Sequence, residues 1–270
     1  MDAREILREH LEAWRAAGVD WLPRGSLHLS LTTPQTDSAK PTKVPKPSTA
    51  TPLSPTPPVV TNAGSSLGST PLVSPPTGLS TEARRLALDT LDREQVKGCK
   101  KCGLCERRTQ TVFGVGNVDC DLCFVGEGPG ADEDAQGEPF VGAAGQLLNR
   151  IIEACKMQRR DVYICNVVKC RPPGNRTPLP DEIASCRPYL VEQLRLLQPK
   201  FICCLGAVAA QTVLQSTLSI GKLRGRLHPY EQSQVLCTYH PAYLLRNPAA
   251  KRDVWEDMKM LMKEMGRPVE

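Results

Sequence analysis

Four short apolar runs, Leu122 to Val125, Val162 to Val168, Phe201 to Leu205 and Val235 to Tyr239, constrain the fold most tightly. Their length and near-continuous apolar character suit strands buried on both faces. Helical patterns alternate with them. One begins near Ala143 and sets Leu147, Leu148, Ile151, Ile152 and Cys155 on a single face. Pro180 and Asp181 open a second, to about Leu197, and Gly206 to Leu214 turns into a third. Asn247 and Pro248 start the last, whose face is Val254, Met258, Leu261, Met262 and Met265. This alternation predicts an α/β fold, a three-layer α/β/α sandwich on a mostly parallel central sheet. Such sheets bind ligands outside the carboxyl ends of their strands. The glycine-rich corner after Val125, Asn166 and His240 all fall at such ends.

The stretch Val125 to Arg150, VGEGPGADEDAQGEPFVGAAGQLLNR, reads as the floor of an active site. Gly126, Gly128 and Gly130 permit positive φ and close backbone approach to a ligand. Four acids follow, Asp132, Glu133, Asp134 and Glu138, then Phe140, an aromatic on which a planar ligand can stack. Gly126, Gly128 and Ala131 also satisfy a dinucleotide fingerprint directly after a strand. That fingerprint needs its helix to start inside the glycine run, whereas Pro129 and Gly130 interrupt it and the helical period begins only near Ala143. A plain surface turn would explain the Gly and Asp content but not Phe140.

Residues 1 to 24 hold a short amphipathic helix with Ile6, Leu7, Leu11 and Trp14 on one side, which docks either on its own domain or on a protein partner. Residues 25 to 80 form a Pro/Ser/Thr-rich linker, expected to be disordered: eleven prolines lie between Pro34 and Ser80, with no aromatic residue among them. Residues 81 to 270 are the folded domain, opened by a helix that Ser80 caps, from Thr81 to about Val96, carrying Leu86 and Leu91. Roughly 170 residues suffice for one core. The chain carries 34 basic and 29 acidic residues, a net charge of +5 that is compatible with a polyanionic partner. The N-terminus has charges where a signal peptide would need an apolar stretch, so none is expected, and no run approaches the ~18 apolar residues of a transmembrane helix. The expectation is a monomeric cytoplasmic protein with no membrane contact.

All 12 cysteines lie between Cys99 and Cys237. In a reducing compartment that number suggests a metal site. Cys99 and Cys102 form a C-x2-C pair, joined later by Cys170 and Cys186; four thiolates can close either a zinc site or an iron-sulfur cluster. A lone C-x-x-C can also be a redox pair. Cys105 extends the first group, but Thr109 stands where a ferredoxin run would place its next cysteine. Cys155, Cys165, Cys203, Cys204 and Cys237 fall on apolar faces and read as ordinary buried thiols. His240, one of four histidines, opens HPAYLLRNP, where Tyr243, Leu244 and Leu245 suggest an apolar wedge at a loop tip beside the cation of Arg246. That pairing suits insertion between bases with a phosphate held alongside.

GEGPGADEDAQGEPFVGAAGQLLNR, NVVKCRPPGNRTPLPDE, LGAVAA and HPAYLLRNP occur in the order found in the family-four uracil-DNA glycosylases, which the chain closely resembles from Cys99 to about Asp257. The resemblance implies a uracil-DNA glycosylase-like fold and a [4Fe-4S] cluster on Cys99, Cys102, Cys170 and Cys186, with Cys105 not a ligand. It also implies a pocket lined by Glu127, Gly128 and Pro129, with uracil stacked on Phe140, read by Asn166, and its O2 stabilised by His240. Uracil-containing DNA is the partner so implied, with Leu244 and Arg246 contacting it. Where related glycosylases carry an aspartate for the attacking water, this chain has Gly128, leaving Glu127, Glu133 and Asp134 as candidates. The resemblance pairs Glu133 with Asn175. The basic loop and nucleophilic histidine of a covalent DNA-trapping relative are absent after Asn166, so turnover is expected. The contrasting reading is a non-catalytic iron-sulfur nucleic-acid-binding module.

Overall fold

The computed structural model describes residues 79–269. The expected N-terminal helix and nearly all of the linker lie outside the described residues. Six strands form one sheet: β1 (Val115–Gly116), β2 (Leu122–Gly126), β3 (Tyr163–Asn166), β4 (Phe201–Leu205), β5 (Leu227–Tyr230) and β6 (Ser233–Thr238). Their spatial order is β1-β3-β2-β4-β6-β5. The central four are mutually parallel, while β1 and β5 lie antiparallel at the two edges.

Alternate residues of the buried strands serve opposite layers, as a period of two requires. Leu122 and Phe124 of β2 join Ile164, Leu205 and Leu236 beneath two helices, Ala143–Ala154 (α3) and Lys251–Glu264 (α8), which contribute Leu148, Ile152, Met258 and Leu261. Cys123 and Val125 join Cys165, Cys204 and Val235 against three others, Thr81–Leu91 (α1), Pro180–Leu197 (α4) and Ala207–Leu214 (α5). The sheet is therefore covered on both faces, and the predicted sandwich stands. Burying a side chain such as Leu148 or Ile152 contributes roughly 1.5–3 kcal/mol.

Ser80 caps α1 as expected, its hydroxyl accepting from the Ala83 amide at 3.2 Å, and the helix reaches Val96 through a π-helical turn at Asp92–Val96. Several other local expectations need correction. Leu86 points outward at 64% exposure, and Leu88 is buried with Leu91 instead. The acids after Gly130 form a short helix, Ala131–Gln136 (α2), so helical structure begins well before Ala143. A four-residue helix, Ile220–Leu223 (α6), precedes edge strand β5. HPAYLLRNP is likewise helical over Pro241–Arg246 (α7). Among the described residues no helix is long and apolar enough to cross a membrane.

Candidate active site

The carboxyl ends of β2, β3 and β6 bring the predicted residues together. Gly126 and Asn166 are register partners at the ends of β2 and β3. The ladder runs on into the loops, where the Val167 amide donates to the Gly126 carbonyl at 2.9 Å and the Val168 amide to that of Glu127 at 3.2 Å. Two residues beyond β6, His240 caps α7. The resulting cleft of about 540 Å³ is lined by Glu127, Gly128, Pro129, Glu133, Phe140, Asn166, His240 and Arg246.

Leu244 does not reach that cleft. It is 1% exposed and belongs to the core beneath α3, because the helical period of α7 turns it inward. Tyr243 and Leu245, 39% and 45% exposed, line the mouth in its place.

Asn166 is fully buried, and its Oδ1 has no hydrogen-bond partner in the protein. A buried acceptor left in this state costs about 1–3 kcal/mol. Its backbone carbonyl is held from the other side by the buried Lys169 ammonium at 2.7 Å. Lys169 in turn donates to Gln193, which donates to the Phe113 carbonyl at 3.0 Å. Gly126 explains how the amide and Phe140 share one floor. A Cβ there would lie 2.4 Å from Asn166 Oδ1 and 2.5 Å from Phe140 Cζ. Close approach, not positive φ, is the role of this glycine, and neither Gly128 nor Gly130 has positive φ either. Gly126→Ala is expected to cut turnover more than tenfold by displacing both side chains, at an overpacking cost of about 1–3 kcal/mol. Parallel rate and thermal-melting measurements check this; unchanged turnover would remove Gly126 from the floor.

Phe140 itself adopts φ = 55°, a left-handed conformation that costs a non-glycine residue of order 1–3 kcal/mol. Its ring lies 5.5 Å from that of His240, centroid to centroid, at an interplanar angle of 30°. His240 Nδ1 accepts from the Ala242 amide at 3.1 Å, which puts the proton of the neutral ring on Nε2. Burial, reinforced by the nearby Arg246 cation and opposed by Glu133, lowers the imidazole from its ordinary 6.5 to about 4. At neutral pH the site therefore holds a neutral donor.

The three candidate carboxylates divide by their partners. Glu133 accepts from the amides of Gly130 at 3.0 Å and of Val141 and Gly142 at 2.9 Å each, tying the two loops of the cleft together. It is not bonded to Asn175, whose Oδ1 accepts from Arg171 at 2.8 Å. Asp134 is buried and accepts from the Thr109 amide with both oxygens at 3.0 Å. Only Glu127 is uncommitted to backbone amides; burial raises its carboxyl, partly offset by a hydrogen bond to Thr177.

On the α4 side of the sheet, Cys99, Cys102, Cys170 and Cys186 line one small cavity with Val96, Leu104 and Tyr189. Cys105 lines it too. Each of the four sulfurs has a donor. Arg108 donates to Cys170 at 3.1 Å, the Lys169 amide to Cys186 at 3.3 Å and the Tyr189 hydroxyl to Cys99 at 3.4 Å, while the Leu104 amide serves Cys102. Burial pushes the Cys170 thiol up to about 11, partly offset by the Arg108 hydrogen bond. The other thiols read as structural, Cys155, Cys165, Cys203, Cys204 and Cys237, are all buried. Residues missed by sequence reasoning are Arg108, Lys169 and Arg159, cations that each have a partner distant in the chain, in Cys170, Gln193 and Phe140 respectively.

The cleft thus lies at the carboxyl edge of a parallel sheet covered on both faces, and it combines an aromatic ring, a buried amide and a neutral imidazole. The family model of the uracil DNA glycosylase superfamily matches residues 113–259. A type-4 uracil-DNA glycosylase of Archaeoglobus fulgidus is 41% identical over 189 residues, covering 67% of this chain and 94% of that protein. One from Thermotoga maritima is 46% identical over 172 residues, covering 62% and 88%. The chain belongs to the uracil-DNA glycosylase superfamily, in its type-4 group.

Proposed function

We propose that this protein is a monofunctional DNA-repair glycosylase that hydrolyses the N-glycosidic bond of uracil in DNA and leaves an abasic site for base excision repair. The observation that carries the reading is the unpartnered, buried Oδ1 of Asn166 beside the Phe140 ring and the neutral His240. Uracil N3-H is the donor that Oδ1 lacks, and the Asn166 NH2 group serves O4. The flipped base stacks on Phe140, and His240 Nε2-H points to the O2 that gains negative charge as the bond breaks. Holding the imidazole neutral makes it a donor that keeps its proton. The sugar carries the complementary positive charge, so the attacking water needs only weak help. Glu127 is the carboxylate free to polarise it, and Glu133 and Asp134 position loops instead. Tyr243, Leu245 and Arg246 meet the DNA at the mouth.

Four convergent thiols, each with a hydrogen-bond donor, and apolar walls fit a [4Fe-4S] cluster on Cys99, Cys102, Cys170 and Cys186. When bound, the cluster cross-links the segments that carry these cysteines, and no redox step is needed. Arg108 reaches from Cys170 to the Cys99 carbonyl at 2.8 Å, and its neighbour Thr109 donates to Asp134 of α2, which connects that region to the cleft. The free thiols suit the cytoplasm, and the reading takes the enzyme to act as a monomer. The test is excision from an end-labelled oligonucleotide with one uracil, cleaved by alkali after incubation. A visible-absorbing sample that cuts at the uracil supports both proposals; a coloured, folded, DNA-binding sample that leaves the strand intact favours a non-catalytic binding module.

A further inference from the structure

The strain at Phe140 needs something to maintain it, and the surrounding contacts converge on one side chain. Arg159, in the 3-10 turn before β3, donates to the Phe140 carbonyl at 3.3 Å, to the Pro139 carbonyl and to Asn149 Oδ1 of α3 at 3.1 Å. It also pairs with Glu138 at 3.3 Å. One guanidinium thus holds three consecutive residues of the loop and fastens them to a helix. The Phe140 carbonyl also abuts Gly145 of α3, where a Cβ would lie 1.9 Å from that oxygen. Both the helix backbone and the cation therefore restrict the carbonyl. In this arrangement φ is 55°, the ring lies 5.5 Å from that of His240, and its Cζ and Asn166 Oδ1 both crowd Gly126.

We propose that Arg159 is a positioning residue for base excision, fixing Phe140 in its left-handed conformation so that the ring forms the stacking floor of the pocket. The inference rests on the glycosylase reading for its effect on rate, but its structural core does not. A planar fork can serve two carbonyls and an amide oxygen at once, and a lysine ammonium cannot reproduce that geometry. Without the fork the loop relaxes to negative φ and the ring leaves the pocket, while the sheet beneath is untouched.

Arg159→Ala and Arg159→Lys test this in the full-length, cluster-loaded protein. Single-turnover excision is expected to fall about 10- to 100-fold in Arg159→Ala, with KM for the oligonucleotide within about twofold of wild type. Arg159→Lys should recover little, whereas millimolar guanidinium should restore part of the Arg159→Ala rate. An activity-independent readout is the His240 ring-proton shift by NMR, in a chain with four histidines. Phe140's ring current perturbs that shift in wild type, and Arg159→Ala should move it toward the value in Phe140→Leu. A wild-type His240 shift in folded Arg159→Ala overturns the proposal whether or not the protein excises uracil. So does a rate loss that merely follows the fraction unfolded and ignores guanidinium. An inactive wild type with the expected NMR change would instead count against the glycosylase reading alone.

Discussion

Asn166→Asp is expected to lower uracil excision by on the order of 10⁴-fold while creating weak excision of cytosine. On the proposed reading the side-chain NH2 serves uracil O4, and N3-H donates to the Oδ1 that has no partner within the protein. An ionised aspartate only accepts, so the O4 contact is lost and one lone pair faces another. Burial favours the protonated acid, which presents O-H and C=O in the opposite order and so matches the N3 and N4 amine of cytosine. Parallel single-turnover reactions on strands with one uracil or one labelled cytosine decide the matter. A variant that still prefers uracil strongly over cytosine would show that the amide does not read the base.

His240→Ala is expected to slow excision by about 10²- to 10³-fold, with DNA binding little changed, because the donor acts on charge that appears only as the bond breaks. The pH dependence is a second signature. His240 is held at about 4, below its ordinary 6.5, so the neutral ring persists on acidification where a free histidine would already be charged. The acid limb of the single-turnover rate due to His240 therefore belongs near pH 4, and a limb near 6.5 that vanishes in His240→Ala would contradict the assignment. Stability follows the same sign. Between these values the unfolded chain binds the proton and the folded chain does not, so the contribution of His240 is fully present above pH 6.5 and is lost as pH falls toward about 4.

The central sheet and its layers were legible because the signal is local: apolar runs of strand length alternate with helical periods, and each buries whichever way the chain turns. Asn166 and His240 were legible for a related reason, as polar side chains interrupting apolar runs where such sheets bind ligands. The edge strands were not. Val115–Gly116 has two residues, and Leu227–Tyr230 contains Pro229 and only partly buried or exposed positions, so neither has a pattern of its own. Their structure comes from pairing with β3 and β6. Leu244 was misplaced for a comparable reason, since three consecutive apolar residues look like one wedge until a helix distributes them around its axis.

The sequence by itself determined the sandwich, the glycine-rich corner, the C-x2-C pair and the resemblance that places the chain among uracil-DNA glycosylases, because each is carried by residue type and spacing. Only the tertiary structure decided how those parts act. It shows Glu133 and Asp134 occupied by backbone amides, Gly126 too close to Asn166 and Phe140 for any Cβ, and Phe140 held at positive φ beneath Arg159. It also sets the neutral state of His240, through burial and the Arg246 cation, and its tautomer, through the Ala242 amide. These properties arise from groups that meet across the fold, and the physical reason they escape the sequence is that desolvation, close approach and hydrogen-bond saturation depend on distance in space rather than along the chain.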